Sequence, residues 1–190
     1  MITPPAQRPF RTQSDRELEL AFERALTDGD GVGGAHCIHE RWMRGDFAAD
    51  IEMALDLLWK SAGASVPDWL PMRYVSWLPT AYDVAARFTA HSNGKGGGRS
   101  NLYLILLDYS DRRGDDHGVY VGMSRYSPAQ RFDQHKAGIR AAGSVLKRGI
   151  EVLTGPTLHL QHIRRSEAAR IETALATALA DAGIRVEGGH

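Results

Sequence analysis

Hydrophobic residues recur at helical spacing through the first half of the chain. The repeat predicts one helix from a Ser14 cap to the turn at 28–31, and a second helix that follows an Asp46 cap. A stretch broken by three prolines comes next, and a third helix is predicted around 82–88. We therefore expect residues 1–92 to form a mostly helical region.

A glycine-rich segment at 93–100 separates this region from the rest of the chain. Its sequence, Asn-Gly-Lys-Gly-Gly-Gly-Arg-Ser, lacks the spacing of a phosphate-binding loop, and no predicted strand precedes it. We interpret the segment as a flexible linker and place the domain boundary there.

The hydrophobic pattern changes after the linker. Apolar residues at 102–108 and at 119–123 predict two strands, which can form a hairpin with a long polar connection. Ser127, followed by Pro128 and by Gln130 three residues on, predicts a capped helix that runs to about residue 142.

The end of the chain completes the predicted domain at 101–190. Alternation at 157–163 predicts a third strand, and Ser166 is a candidate cap for an alanine-rich helix that Gly183 ends. The order β-β-α-β-α predicts an α+β fold with a small three-stranded mixed sheet flanked by helices.

Composition narrows the classes of function. The 190 residues include 23 basic and 23 acidic side chains, which excludes a strongly basic DNA-packaging protein. The single cysteine, Cys37, excludes an internal disulfide framework and a multi-cysteine zinc site. No apolar run is long enough to span a membrane, and residues 1–10 do not resemble a secretory signal, so a cytoplasmic location is expected.

The stretch at 125–148 is locally basic despite the overall neutrality. Its only acid is Asp133, and its basic residues are Arg125, Arg131, Lys136, Arg140, Lys147 and Arg148. Such a patch can hold a phosphate backbone by neutralising its charge. On charge alone, a solvated helix face is the favoured interpretation.

Several residues with chemical potential surround the predicted hairpin. Tyr103 and Tyr120 lie on its two arms, so their hydroxyls can converge. Arg131 and His135 are four residues apart, which places them on one face of the next helix. Gly122 permits close backbone approach where the second strand ends.

Glu172 lies on or beside the apolar face of the last predicted helix. The stripe that defines this face consists of Ala168, Ile171, Leu175, Ala178, Leu179 and Ala182. A carboxylate on a buried face is costly unless it is paired or bound to a cation. Two interpretations follow: a salt bridge to Arg131 or another arginine, or a metal ligand.

In their order and spacing, these residues make the second half of the chain resemble the GIY-YIG nuclease family. Residues 101–103 stand where that family has its first motif, and residues 120–122 stand where it has the second. Arg131, His135 and Glu172 follow in the family's order. The segment that ends at Glu172 is also similar to the glutamate helix of the DNA-repair excinuclease subunit.

The resemblance implies metal-dependent hydrolysis of phosphodiester bonds in single- or double-stranded DNA. By the family's pattern, Glu172 would hold one divalent cation, Mg²⁺ or Mn²⁺. Tyr103 and Tyr120 would position and deprotonate the attacking water. Arg131 would bind the scissile phosphate, and His135 would contact that phosphate or assist proton transfer.

Basic and small residues near these positions are the candidates for binding the substrate. They are Gly122, Arg125, Lys136 and Arg140. Tyrosine is a poor base at pH 7 because its ordinary pKa is ~10. It becomes useful only where adjacent positive charge favours the phenolate, and Arg131 and the metal are the candidate sources of that charge.

The chain departs from the family's pattern at both ends of the domain. The first motif is Asn-Leu-Tyr rather than Gly-Ile-Tyr, and no asparagine follows Glu172, where His190 is the candidate substitute. Two other functions stay open. One is a catalytically weak or inactive nucleic-acid or protein interaction module on a nuclease fold. The other is a nuclease toxin or mobile-element enzyme in which residues 1–92 serve delivery or bind a protein partner.

Overall fold

The fold is taken from a computed structural model, which describes residues 7–90, 98–113 and 116–189. The chain divides into two compact units, Met1–Pro79 and Thr80–His190. This division falls before the predicted linker at 93–100, most of which lies outside the described residues. Across the described residues, no helix has the length and apolar character that crossing a membrane requires.

Within the described residues, four α-helices precede the first strand. They are α1 (Asp15–Asp28), α2 (Gly31–Arg44), α3 (Ala48–Ala62), with a 3-10 turn at Gly63–Ser65, and α4 (Leu78–Ala85). The helix predicted from Ser14 is confirmed, and Ser14 forms a capping box with Glu17. The predicted third helix begins and ends earlier than expected, because α4 stops at Ala85.

Helix α2 is absent from the sequence prediction. Its glycine-rich start has low helix propensity, which favours a turn when only local sequence is considered. The Asp30 side chain caps the helix by accepting a hydrogen bond from the Gly33 amide at 2.9 Å. A Cβ at Gly34 would collide with the Leu58 side chain of α3, so helix packing requires a small residue there.

Asp46 is not the cap of α3. The helix begins after Phe47, and the Asp46 carboxylate accepts a hydrogen bond from Arg41 Nε at 2.8 Å instead. The buried residues of α3 are Ile51, Ala54, Leu55, Leu58 and Ala62, which recur at the predicted helical spacing.

The described part of the second unit contains one mixed sheet of four strands, not the three that were predicted. The strands are β1 (Asn101–Asp108), β2 (His117–Ser124), β3 (Gly149–Val152) and β4 (Val186–Gly188), and their order in the sheet is β3-β1-β2-β4. Strand β1 is antiparallel to both β2 and β3, and β4 is parallel to β2. The predicted hairpin is thereby confirmed.

Helices flank this sheet, as predicted. They are α5 (Pro128–Lys136), α6 (Gly143–Arg148), α7 (Thr154–Thr157) and α8 (Arg165–Asp181). The predicted cap at Ser127 is confirmed as a capping box with Gln130, but α5 ends at Lys136 instead of near 142. Helix α8 begins after Arg164, so Ser166 is not its cap.

The strand predicted at 157–163 is wrong. Residues 154–157 form α7, and only Ile163 makes a strand-like bridge, to Ser100. Gln161 points its amide at the carbonyls of Leu102 and Thr157, at 2.8 and 2.7 Å, so a side chain satisfies backbone groups that a strand would have paired. The third strand is instead β3, in the short basic stretch where no strand was predicted.

Strand β1 is buried on both faces of the sheet. On one face, Tyr103, Ile105, Leu107 and Tyr109 pack against Val145 of α6, and Phe132 of α5 joins this cluster. This is the face that carries the candidate site.

Candidate active site

The register of the β1–β2 hairpin brings the two candidate tyrosines together. Tyr103 pairs with Gly122, and Tyr120 pairs with Ile105, so both phenol side chains stand on the same face of the sheet. Their ring centroids are 6.1 Å apart. Tyr103 is only 2% exposed, whereas Tyr120 is half-buried.

Gly122 fits between the two rings. A Cβ at this position would lie 2.5 Å from the Tyr103 hydroxyl oxygen and 2.8 Å from the Tyr120 ring. Gly188 of β4 approaches Tyr120 from another side, and a Cβ there would lie 2.8 Å from its ring. The predicted close approach at Gly122 is therefore made by the two phenols.

Gly122→Ala is expected to destabilise the protein by about 1–3 kcal/mol, because the new methyl group has no space beside the tyrosines. Urea denaturation measures the change in the free energy of unfolding. Gly143→Ala is the matched control, because no atom lies within 4 Å of a Cβ at that position. Equal stability of the two variants would contradict the packing argument.

His135 forms a hydrogen bond with the Tyr103 hydroxyl. Its Nε2 lies 3.1 Å from the Tyr103 oxygen, and the ring is 1% exposed. The Ala142 backbone N–H donates to His135 Nδ1 at 3.0 Å. Because Nδ1 is an acceptor, the neutral ring carries its proton on Nε2 and donates it to Tyr103.

Burial, with a further contribution from Arg131, lowers the pKa of His135 to about 4. The ring is therefore neutral at pH 7. A buried, neutral ring is not accessible to a phosphate, so it does not make the phosphate contact that the resemblance implies. Its observed contact instead orients Tyr103.

His135 is expected to stay neutral down to about pH 5 in the folded protein. In the unfolded chain a histidine takes its proton near pH 6.5, so stability is fully present above that pH and falls as the pH drops towards 4. NMR of the ring nitrogens measures the titration midpoint of His135 and identifies the Nε2–H tautomer. A midpoint near 6.5 for His135 would contradict this.

The electrostatic surroundings of the two phenols keep them protonated. Burial, followed by the neighbouring Tyr120, raises the pKa of Tyr103, and Arg131 only partly offsets this. Burial and the Glu172 carboxylate raise the pKa of Tyr120, against the lowering effect of a hydrogen bond from Tyr103 and of Arg131. Within this structure the positive charge of Arg131 alone does not favour a phenolate.

Glu172 lies on the buried side of α8, as the sequence predicts. It is 7% exposed, and its charge acts on the pKa values of both Tyr103 and Tyr120. The buried carboxylate is thus close to the phenols. The helix carries it there because its apolar neighbours Ile171 and Leu175 pack inward.

Arg131 shapes the loop that follows α5. Its guanidinium donates to the Ile139 carbonyl at 3.1 Å and to the Arg140 carbonyl at 2.7 Å. Arg140 adopts a positive φ of 45°, which is uncommon for a residue with a side chain. Arg131 therefore fixes the backbone of Arg140 as well as acting on Tyr103.

The remaining predicted substrate-binding residues separate into two groups. Arg125 and Arg140 line, together with Arg131, an open cleft of about 330 Å³. Lys136 does not line this cleft, and its ammonium donates to the Gly149 carbonyl at 3.0 Å. His190, the candidate substitute for the family's asparagine, lies outside the described residues.

Asn101 has a positioning role that the sequence did not reveal. Its side-chain amide donates to the Tyr126 carbonyl, and its side-chain oxygen accepts from the His162 N–H, both at 2.9 Å. It therefore joins the end of the hairpin to the segment before α8. The available signal was a polar residue at the start of a wholly apolar strand.

The described residues contain no group of three or more His, Cys, Asp or Glu side chains arranged around a metal position. A cation held at Glu172 would have the carboxylate of that residue as a ligand. Mg²⁺ suits such a site, because it prefers oxygen ligands and keeps several of its waters. The buried carboxylate, whose charge acts on both phenols, fits an ion of this kind.

Comparison with known proteins gives no relative. No protein-family model, curated protein or solved structure matches the chain.

Proposed function

We propose that the protein is a metal-dependent endonuclease that hydrolyses phosphodiester bonds in DNA and that its second half is a GIY-YIG-like domain. One observation carries the proposal. A buried carboxylate, Glu172, lies close enough to two neighbouring phenols, Tyr103 and Tyr120, for its charge to act on both, and Arg131 acts on the same two groups. These residues come from two strands and two separate helices.

This set of groups suits attack on an anionic phosphodiester. The guanidinium of Arg131 offers positive charge to the phosphate as negative charge develops in the transition state. Bound at Glu172, Mg²⁺ would supply further positive charge for the phosphate and for the attacking water. The site lies beside the buried face of the sheet, where such charges interact more strongly than in bulk water.

The two phenols have different roles in this proposal. Tyr120 is half-buried and is the phenol that can reach water, so it orients the attacking water. It would accept the proton of that water only as the phenolate, which the positive charge of a cation held at Glu172 would favour. Tyr103 is buried and receives a hydrogen bond from His135, and its hydroxyl lowers the pKa of Tyr120 by hydrogen bonding. Tyr103 and His135 are positioning residues that fix the direction of the Tyr120 hydroxyl.

A nicking assay tests the activity. Supercoiled plasmid and circular single-stranded DNA are incubated with the purified protein in Mg²⁺, in Mn²⁺ and in excess EDTA. We expect nicking with either metal and none with EDTA. The absence of cleavage of both DNA substrates in both metals would overturn the proposal.

The second candidate is a module that binds nucleic acid without cleaving it. The raised pKa values of both phenols favour it, because neutral phenols are weak bases. DNA binding that weakens with salt, in the absence of any nicking, is the result that would select this function.

A further inference from the structure

The cleft beside Arg131 is strongly cationic. Four of its nine lining residues are arginines, and none is acidic. The arginines are Arg125, Arg131, Arg140 and Arg165. Arg165, the first residue of α8, was not among the residues that the sequence singled out.

None of these four guanidinium groups forms an ion pair within the described part of the chain. This contrasts with Arg8 and Arg44 of the first unit, which pair with Glu40 at 2.8 and 2.9 Å. Since the whole chain has no net charge, the cleft is a local concentration of positive charge. An anion is the ligand that such a cleft favours.

The walls of the cleft are held in place by specific contacts. Arg125 stacks over the Tyr126 ring at 5.1 Å and donates to its hydroxyl at 3.1 Å, while Asn101 holds the Tyr126 carbonyl. Arg131 fixes the backbone of Arg140. The hydrogen bond and charge of Arg125, with a smaller effect of Arg140, lower the pKa of Tyr126, as expected in a cationic field.

The cleft is displaced from the proposed reaction centre. Its lining does not include Tyr103, Tyr120 or Glu172. Arg165 precedes Glu172 by seven residues on the same helix, which is two turns, or about 10 Å along the axis. Arg131 is the residue that belongs to both places.

We infer that this arginine cleft binds the phosphate next to the cleaved one on the same nucleic-acid strand. Arg165 is the residue that makes binding depend on this neighbouring phosphate. The inference rests on the proposed function, which defines where the cleaved bond lies. The substrate class is then a strand with at least two consecutive phosphates, not a mononucleotide ester. Arginine suits this role because its planar guanidinium donates two parallel hydrogen bonds to a phosphate.

The first test measures binding without cleavage. A fluorescein-labelled 20-nucleotide single strand is titrated by anisotropy in EDTA at several salt concentrations, with wild type, Arg165→Gln and Arg170→Gln. Arg170 is the matched control, because it is an exposed arginine on the same helix that does not line the cleft. All three proteins are first shown to unfold at the same temperature.

We expect Arg165→Gln to weaken binding about tenfold at low salt and to reduce the slope of log affinity against log salt by about 1, which is one phosphate contact. Arg170→Gln is expected to stay within twofold of wild type. Similar effects of the two substitutions, or no binding by wild type, would overturn the inference.

A second readout separates this inference from the proposed activity. If the strand is cleaved, Arg165→Gln should raise KM about tenfold and leave kcat within twofold, because Arg165 is remote from the bond that breaks. A fall in kcat without a change in KM would overturn it. If wild type cleaves no DNA but Arg165→Gln still loses binding selectively, the proposed nuclease activity is refuted. The inference that the cleft binds a phosphate is then retained.

Discussion

Glu172→Gln is expected to lower the rate of metal-dependent DNA cleavage by at least about 100-fold, the scale seen when one preorganised electrostatic partner is lost. The substitution keeps the size of the side chain and removes the charge that would hold the cation. Plasmid nicking at saturating Mg²⁺ measures the loss. Raising the Mg²⁺ concentration should restore part of the rate, because the neutral amide oxygen still offers a weak ligand.

The matched control for this substitution is Asp181→Asn. Asp181 is exposed at the last turn of the same helix, more than two turns beyond Glu172, so its amide variant removes the same charge at another position. It is expected to cleave at the wild-type rate. If Glu172→Gln cleaves as fast as Asp181→Asn, the carboxylate takes no part in the reaction and the proposed metal site is wrong.

Tyr120→Phe is expected to lower kcat by about 100-fold, with KM nearly unchanged, because the lost hydroxyl is the one that can reach water. Tyr103→Phe removes the hydroxyl of a residue that is only 2% exposed and that, in the proposed mechanism, acts through Tyr120. Its expected loss is smaller, about tenfold. Cleavage rates of the two variants over a range of substrate concentrations give both constants.

The pH profile distinguishes the two phenol roles further. The hydrogen bond from Tyr103 lowers the pKa of Tyr120, so Tyr103→Phe should raise it and shift the rising limb of kcat against pH to higher pH. A structural effect alone would reduce kcat at every pH without that shift. A larger loss in Tyr103→Phe than in Tyr120→Phe would reverse the assignment of the two tyrosines.

Local sequence was enough to predict the elements that depend on residues close together in the chain. The capping boxes at Ser14 and Ser127 are confirmed, because each uses a side chain only three residues away. Strand β1 is confirmed, because a run of six consecutive apolar residues has the length expected of a buried strand. The same reasoning placed Glu172 on a buried face, since the helical period fixes which residues share a side.

The errors occur where distant contacts outweigh local preference. Helix α2 forms from a glycine-rich start because its glycines allow close packing on α3, as at Gly34 against Leu58. Strand β3 forms at Gly149–Val152 by pairing with β1, although its own run of four residues is short. Strand β4, only three residues long, likewise exists through its parallel pairing with β2.

The sequence by itself determined which residue types are present, the order in which they occur and the faces of helix and strand that they share. The tertiary structure alone decided that Tyr103 is buried against a neutral His135 while Tyr120 stays half-buried, and that Arg165 joins Arg125 in one cleft. The reason is physical. Periodicity and capping act over a few residues, whereas burial, tautomer and the sum of charges depend on groups that only folding brings together.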